Sequence, residues 1–293
     1  MAQFEDIIQA IETATDSSLS KASISSIGGG CINAAYRLDS DDQSYFIKVN
    51  SPHLADMFEA EAQGLQEMYA INAVRVPEVI CYGVADGHSY LALEHISLSS
   101  LRGHASTMLG QQLAALHQKP QPYFGWHMDN TIGSTPQINN RQHDWLTFWQ
   151  QERLGKQLEF AAKNGFGGRL QSQGEKLLVS LSSLLDGHEP HPSLLHGDLW
   201  GGNASADELG NPVIFDPACY YGDREADLAM TELFGGFGGD FFAAYNDIYP
   251  VNEGYQMRKT LYNLYHIINH LNLFGAGYLG QAEAMIDRLL AQA

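Results

Sequence analysis

The sequence contains no apolar run approaching the roughly 18 residues that a membrane-crossing helix needs, which removes a membrane protein of that kind from consideration. Basic residues are scarce. Sixteen Lys and Arg stand against 34 Asp and Glu, a net charge of −18, and such a field repels both a nucleic-acid backbone and an anionic membrane. Neither is an expected partner. Cysteine is scarce too: Cys31, Cys81 and Cys219 include no C-x-x-C pair, so a disulfide framework and a zinc site are both excluded and the thiols are expected to be free. The first twelve residues carry acids where a secretory signal carries bases, and the expected location is cytoplasmic. The twelve histidines show no H-E-x-x-H or comparable metal spacing and read as surface or core residues. There is no internal repeat and no low-complexity tract.

What is present is an ordinary globular composition, 44% hydrophobic and 11% aromatic over 293 residues, long enough for one large domain or two lobes around a cleft. The pattern changes near Ile96. Before it, Ile24–Ile27, Asn33–Leu38 and Ser44–Val49 read as strands of an antiparallel meander, broken by Gly28-Gly29-Gly30 and by a polar turn at 39–42. A helical spacing over Leu54–Ile71 follows, then strands at Val79–Val84 and Tyr90–Glu94. After it helices dominate, at Ser106–His117, Trp145–Ala162, Gly174–Leu185, Asp223–Phe234 and around Leu261–Leu271. The expected class is α+β, with a small antiparallel β-rich lobe (1–95) ahead of a larger helical one (96–293). Tyr123, Phe124, Trp126, Trp145, Phe148 and Trp149 are expected to pack that second lobe rather than to form a sugar platform.

The strongest local pattern is His196-Gly197-Asp198-Leu199-Trp200-Gly201-Gly202-Asn203, followed by an apolar run ending at Asp216. An Asp, an Asn five residues on and a second Asp after a strand are the groups that phosphoryl transfer from ATP requires. One carboxylate orients and deprotonates an attacking hydroxyl, while the Asn and the other Asp hold Mg2+ against the phosphates. Lys48, between Ile47 and Val49 on a strand, faces away from both. A charge there needs a partner, and Glu61 on the following helix can supply it, leaving Lys48 to meet the α- and β-phosphates. The glycines at 28–30 would let backbone amides approach phosphates. No G-x-x-x-x-G-K-[ST] loop is present. Cys31, inside the glycine loop, is expected to be the most oxidation-sensitive thiol.

These segments, together with Phe46-Ile47-Lys48-Val49-Asn50, Asn130-Thr131-Ile132-Gly133-Ser134-Thr135-Pro136-Gln137 and Asp216 through Ala229, resemble the fructosamine kinase (ketosamine-3-kinase) family, in the aminoglycoside-phosphotransferase-like branch of the protein-kinase-like fold. The resemblance runs through almost the whole chain. It implies a bilobal fold, with Asp198 as catalytic base and Asn203 and Asp216 as Mg2+ ligands. It further implies Lys48 and Glu61 as the phosphate-orienting pair and Glu94, His95 and Ile96 as the adenine-binding hinge. In the same reading Asp227 supports the catalytic-loop backbone, His196 holds that loop and Trp200 lies beside the acceptor sugar. The implied reaction is ATP-dependent phosphorylation of the 3-hydroxyl of a small-molecule or protein-bound ketosamine, followed by elimination that frees the amine, in a monomer or homodimer. Gly197 stands where protein kinases carry an Arg, Pro217-Ala218 where they carry Phe-Gly, and no A-P-E motif follows, which points to a small acceptor and no phosphorylation switch. The alternatives are a kinase for another small alcohol, of the aminoglycoside, choline or homoserine type, and a catalytically dead binding module.

Overall fold

The structure, a computed structural model, describes residues 4–28, 32–41 and 43–293. Among them the chain begins with helix α1 (Glu5–Thr15), then strands β1 (Ser23–Ile27), β2 (Ala34–Asp39) and β3 (Ser44–Asn50), helix α2 (Ala55–Ile71) and strands β4 (Val79–Ala85) and β5 (His88–Glu94). The strands form one antiparallel sheet in the order β1-β2-β3-β5-β4. Helix α1 was not anticipated from the sequence.

Alternation in β3 decides how the sheet is covered. Tyr45, Ile47 and Val49 point to one face and pack with Phe4, Ile7, Ile11 and Leu38 under α1. Lys48 points to the other, toward α2. On β5 the same alternation sends Tyr90 and Ala92 to the α1 side, while Leu91 and Leu93 join Phe58, Leu65 and Met68 of α2 in a core that continues without a break into the helical part. The sheet is thus buried on both faces at β3 and β5, and the buried charge at position 48 lies on the face nearer the rest of the chain.

Beyond residue 96 come α3 (His104–His117), the short hairpin β6 (Asn130–Ile132) and β7 (Thr135–Gln137), α4 (Trp145–Phe148), α5 (Gly155–Lys163) and α6 (Arg169–Leu184). The strands β8 (Ser193–Leu195), β9 (Ala204–Ala206), β10 (Pro212–Ile214) and β11 (Tyr220–Gly222) precede α7 (Arg224–Leu233), α8 (Gly239–Ile248), α9 (Tyr255–Phe274) and α10 (Leu279–Leu290). β9 pairs with β10 and β8 with β11, both antiparallel. The single helix expected over Trp145–Ala162 is instead interrupted by a π-helical turn at Trp149–Leu154. That turn delivers Arg153 into the core, with its guanidinium 3.9 Å from the centre of the Tyr220 ring. Trp145, Phe148 and Trp149 are buried against Tyr262 and Tyr220, so these aromatics are packing residues.

Candidate active site

Asp198, Asn203 and Asp216 converge because two antiparallel pairs bracket them. The loop 196–203 runs from β8 to β9, and Asp216 lies between β10 and β11. The loop is tied down from below by Asp227 on α7, whose carboxylate accepts the backbone N–H groups of His196 at 2.7 Å and Gly197 at 2.8 Å. His117 holds the same carboxylate at 3.2 Å. Burial by itself would raise the Asp227 pKa, but the hydrogen bond and charge of His117 and the neighbouring donors prevail and hold it below the ordinary value. The His196 ring lies across the loop. Its Nε2 donates to the carbonyl of Phe215 at 2.9 Å and its Nδ1 accepts the Asp198 N–H at 3.2 Å, a pattern that needs the neutral ring. Burial lowers the His196 pKa accordingly.

The Asn203 amide nitrogen donates to the Asp198 carbonyl at 2.9 Å and to Asp198 Oδ2 at 3.2 Å, which commits its N–H groups and leaves Oδ1 as an acceptor. The Asp198 carboxyl is pushed up to about 7, first by burial and then by the negative charge of Asp216. A group of that basicity is matched to taking a proton from an alcohol near neutral pH. Lys48 Nζ lies 2.6 Å from Glu61 Oε1 and 2.6 Å from Asp216 Oδ1. Burial would depress the Lys48 pKa, yet the two carboxylates together outweigh it and the pKa is raised. Glu61, buried in turn, is shifted upward by burial more than Lys48 can reverse.

The amide oxygen of Asn203, left available because its N–H groups are committed to Asp198, and the carboxylate of Asp216 form a hard-oxygen donor pair. A cation held there also offsets the negative charge of Asp216 that Asp198 feels. The residues therefore fit a Mg2+ ion, with Asn203 and Asp216 as the side chains that would hold it.

Trp200 is 40% exposed, on the same loop as Asp198. A cavity of about 480 Å3 opens beside that loop, lined by Leu98, Ser99, Ser100 and Leu101 on one side and Gly201, Ala204, Ser205 and Gly236 on the other. At the expected hinge, the Glu94 side chain is engaged by Arg75 at 2.6 Å and by the Glu78 N–H, and the His95 N–H donates to the Ser44 carbonyl. Ile96 is half-buried. At this hinge, side-chain recognition of a base by Glu94 is pre-empted, and backbone groups remain. Gly28 faces open space, while Gly29, Gly30 and Cys31 lie outside the described residues. Burial pushes the Cys81 and Cys219 thiols up, away from reactivity.

Several residues that organise the site carried no recognisable pattern in the sequence. On α2, Glu67 accepts the Trp126 indole N–H at 3.0 Å and the Tyr221 hydroxyl at 2.7 Å. Two positions from Glu61 on that helix, Gln63 bonds His127, and Gly64 lets Cys219 approach so closely that a Cβ would lie 2.7 Å from its sulfur. Helix α2, and Glu61 with it, is clamped to the part of the chain that follows residue 96. His188, Asp223 and Glu225 also cluster, but Asp223 is taken by His188 and Tyr262, and Glu225 by Arg258. That group is a buried ion-pair network. Among the described residues, no helix is long and apolar enough to cross a membrane.

The family model for fructosamine kinase matches residues 3–292. A protein of Synechocystis described as a ketoamine kinase is 46% identical over 99% of this chain and 97% of its own. The chloroplastic protein-ribulosamine 3-kinase of Oryza sativa subsp. japonica is 44% identical over 91% of this chain and 78% of its own. Among solved structures, one from Haemophilus somnus described as a fructosamine-3-kinase superposes with a TM-score of 0.88 at 30% identity, covering 97% and 96% of the two chains. The choline kinase of Streptococcus pneumoniae shares the fold alone, with a TM-score of 0.64 at 14% identity over the full length of both chains. The chain belongs to the fructosamine kinase family and is an ATP-dependent phosphotransferase.

Proposed function

We propose that the protein phosphorylates the 3-hydroxyl of ketosamines, with ribulosamine and erythrulosamine adducts preferred over fructosamine, on free amines or protein lysines. The observation that carries the proposal is the convergence of Asp198 and Asn203, 3.2 Å apart, with Asp216 and the Lys48–Glu61 pair in one constellation. Lys48 leaves Asp216 for the α- and β-phosphates of ATP when the nucleotide enters, and Glu61 keeps it aimed. The 3-hydroxyl oxygen attacks the γ-phosphorus as the bond to the β-bridging oxygen breaks, and the hydroxyl proton passes to Asp198. Asn203 and Asp216 would hold Mg2+, which would supply charge neutralisation on the transferring phosphoryl group. Asp227 and His196 keep the loop carrying Asp198 fixed, and the cleft lies between a nucleotide lobe (1–95) and a catalytic lobe (96–293). Enolisation of the ketosamine across C1 and C2 then expels the C3 phosphate and leaves an imine at C1, whose hydrolysis by water frees the amine and makes the enzyme one of deglycation.

The preference for smaller sugars follows the plant relatives, which are protein-ribulosamine 3-kinases. It is tested by kcat/KM on lysine-linked ribulosamine, erythrulosamine and fructosamine, with choline and an aminoglycoside alongside. One extra hydroxymethylene in the acceptor site is expected to lower kcat/KM by about tenfold or more. A preference for fructosamine would overturn the size claim but leave the reaction class. Turnover of choline or an aminoglycoside without any ketosamine would overturn both.

A further inference from the structure

Asp216 has φ +58, a left-handed backbone that costs a residue with a side chain about 1 kcal/mol or more. The conformation persists because the chain is pinned on both sides of it. Upstream, the Phe215 N–H donates to the Asn203 carbonyl at 3.1 Å and the Phe215 carbonyl accepts from His196. Downstream, the Ala218 N–H donates to the His196 carbonyl at 2.8 Å. The downstream carbonyls are held from elsewhere. Gln137 Nε2 donates to the Ala218 carbonyl at 3.1 Å, and Asn130 Nδ2 donates to the Cys219 carbonyl at 2.8 Å. These two amides also bind each other, Gln137 Nε2 to Asn130 Oδ1 at 2.9 Å, and the Tyr265 hydroxyl fixes Gln137 Oε1 at 2.7 Å. Gln137 is 1% exposed.

The conspicuous segment Asn130–Gln137 therefore touches neither Asp198 nor Asn203 through these amides. It grips the backbone two and three residues past Asp216. We propose that Asn130 and Gln137 are positioning residues for metal binding, holding Asp216 in the strained geometry from which its carboxylate meets Mg2+. The segment after this carboxylate is then a fixed strap. A purely structural role would cost stability without altering the metal dependence of nucleotide binding, whereas a positioning role alters both. The inference rests on the reading of Asp216 as a metal ligand.

The test is AMP-PNP binding measured by titration calorimetry over a range of MgCl2 concentrations, with thermal melts of every variant. Gln137→Leu is expected to raise the Mg2+ concentration for half-maximal binding by about tenfold, the scale seen when a group supporting a metal ligand is lost. Tyr265→Phe, which frees only one anchor of Gln137, should shift it in the same direction by a smaller factor. Leu177→Ala, which removes buried volume from α6, should lower the melting temperature and leave the metal dependence as in wild type. If Gln137→Leu loses stability but keeps the wild-type metal dependence, the proposal is overturned. Should Gln137→Leu not fold, an unchanged metal dependence in Tyr265→Phe overturns it instead. Asp216→Asn separates the two ideas: if that variant retains normal metal dependence, the metal-ligand reading fails and takes the proposal with it.

Discussion

Asp198→Asn is expected to lower kcat by about three orders of magnitude while AMP-PNP affinity stays within about twofold of wild type. The amide cannot take up the acceptor's proton, yet it preserves the shape of the side chain that Asn203 contacts, and Asp198 acts on the acceptor rather than on the nucleotide. Steady-state kinetics beside calorimetric binding make the comparison, and activity within tenfold of wild type would rule the role out. The same substitution has an opposite effect on stability. The Asp198 pKa of about 7 in the fold stands above its ordinary 3.8, so the folded state holds a proton that the unfolded chain gives up. Its favourable contribution is complete below pH 3.8 and is lost as pH rises through 7. In metal-free protein, Asp198→Asn should therefore melt higher than wild type, by a margin that grows between pH 5 and pH 8. Because the carboxyl is partly exposed, the gain at pH 8 is on the order of 2 kcal/mol. A margin that shrinks with pH would contradict the raised pKa.

The catalytic constellation was legible because its chemistry needs particular residues at short spacings. HGDLWGGN and Asp216 lie only thirteen residues apart at their nearest ends, and a lysine alternating with buried Ile47 and Val49 announces a charge on the inner face of a strand. The sheet was legible for similar reasons, since period-two runs separated by glycines and polar turns define its hairpins. Other features depended on partners far along the chain. Helix α1 and the residue before it offer only a short apolar stripe of Phe4, Ile7 and Ile11, whose value appears once β3 presents Tyr45, Ile47 and Val49 to it. Asn130 and Gln137 bond residues more than eighty positions away, and a buried amide has no periodicity to betray it. Glu67 looks like any helix-surface acid until Trp126 and Tyr221 arrive from far along the chain. The break in the helix at 149–154 likewise reflects a tertiary demand, the burial of Arg153 against Tyr220 and its bonds to Ile138 and Asn139.

Gly197→Ala is expected to cost both stability and at least about a hundredfold in kcat, through the backbone alone. Gly197 has φ +81, and a Cβ added there would lie 2.0 Å from the Ala218 carbonyl oxygen. Neither party can retreat. The Gly197 N–H is held by Asp227, the Ala218 N–H by the His196 carbonyl, and the Ala218 oxygen by Gln137. Relief requires the catalytic loop to part from the 216–219 segment, which moves Asp198 relative to Asp216. The arginine that protein kinases carry at this position, to receive an activation-loop phosphate, therefore has no room here, and control by that route is closed by sterics. The discriminating measurement is the pair Gly197→Ala and Gly187→Ala. Gly187 also has positive φ, at +68, but open space around it, so its variant should lose about 1–2 kcal/mol and keep its kcat. Equal kinetic losses in the two variants would show that left-handed strain, rather than the collision with Ala218, sets the requirement for glycine at 197.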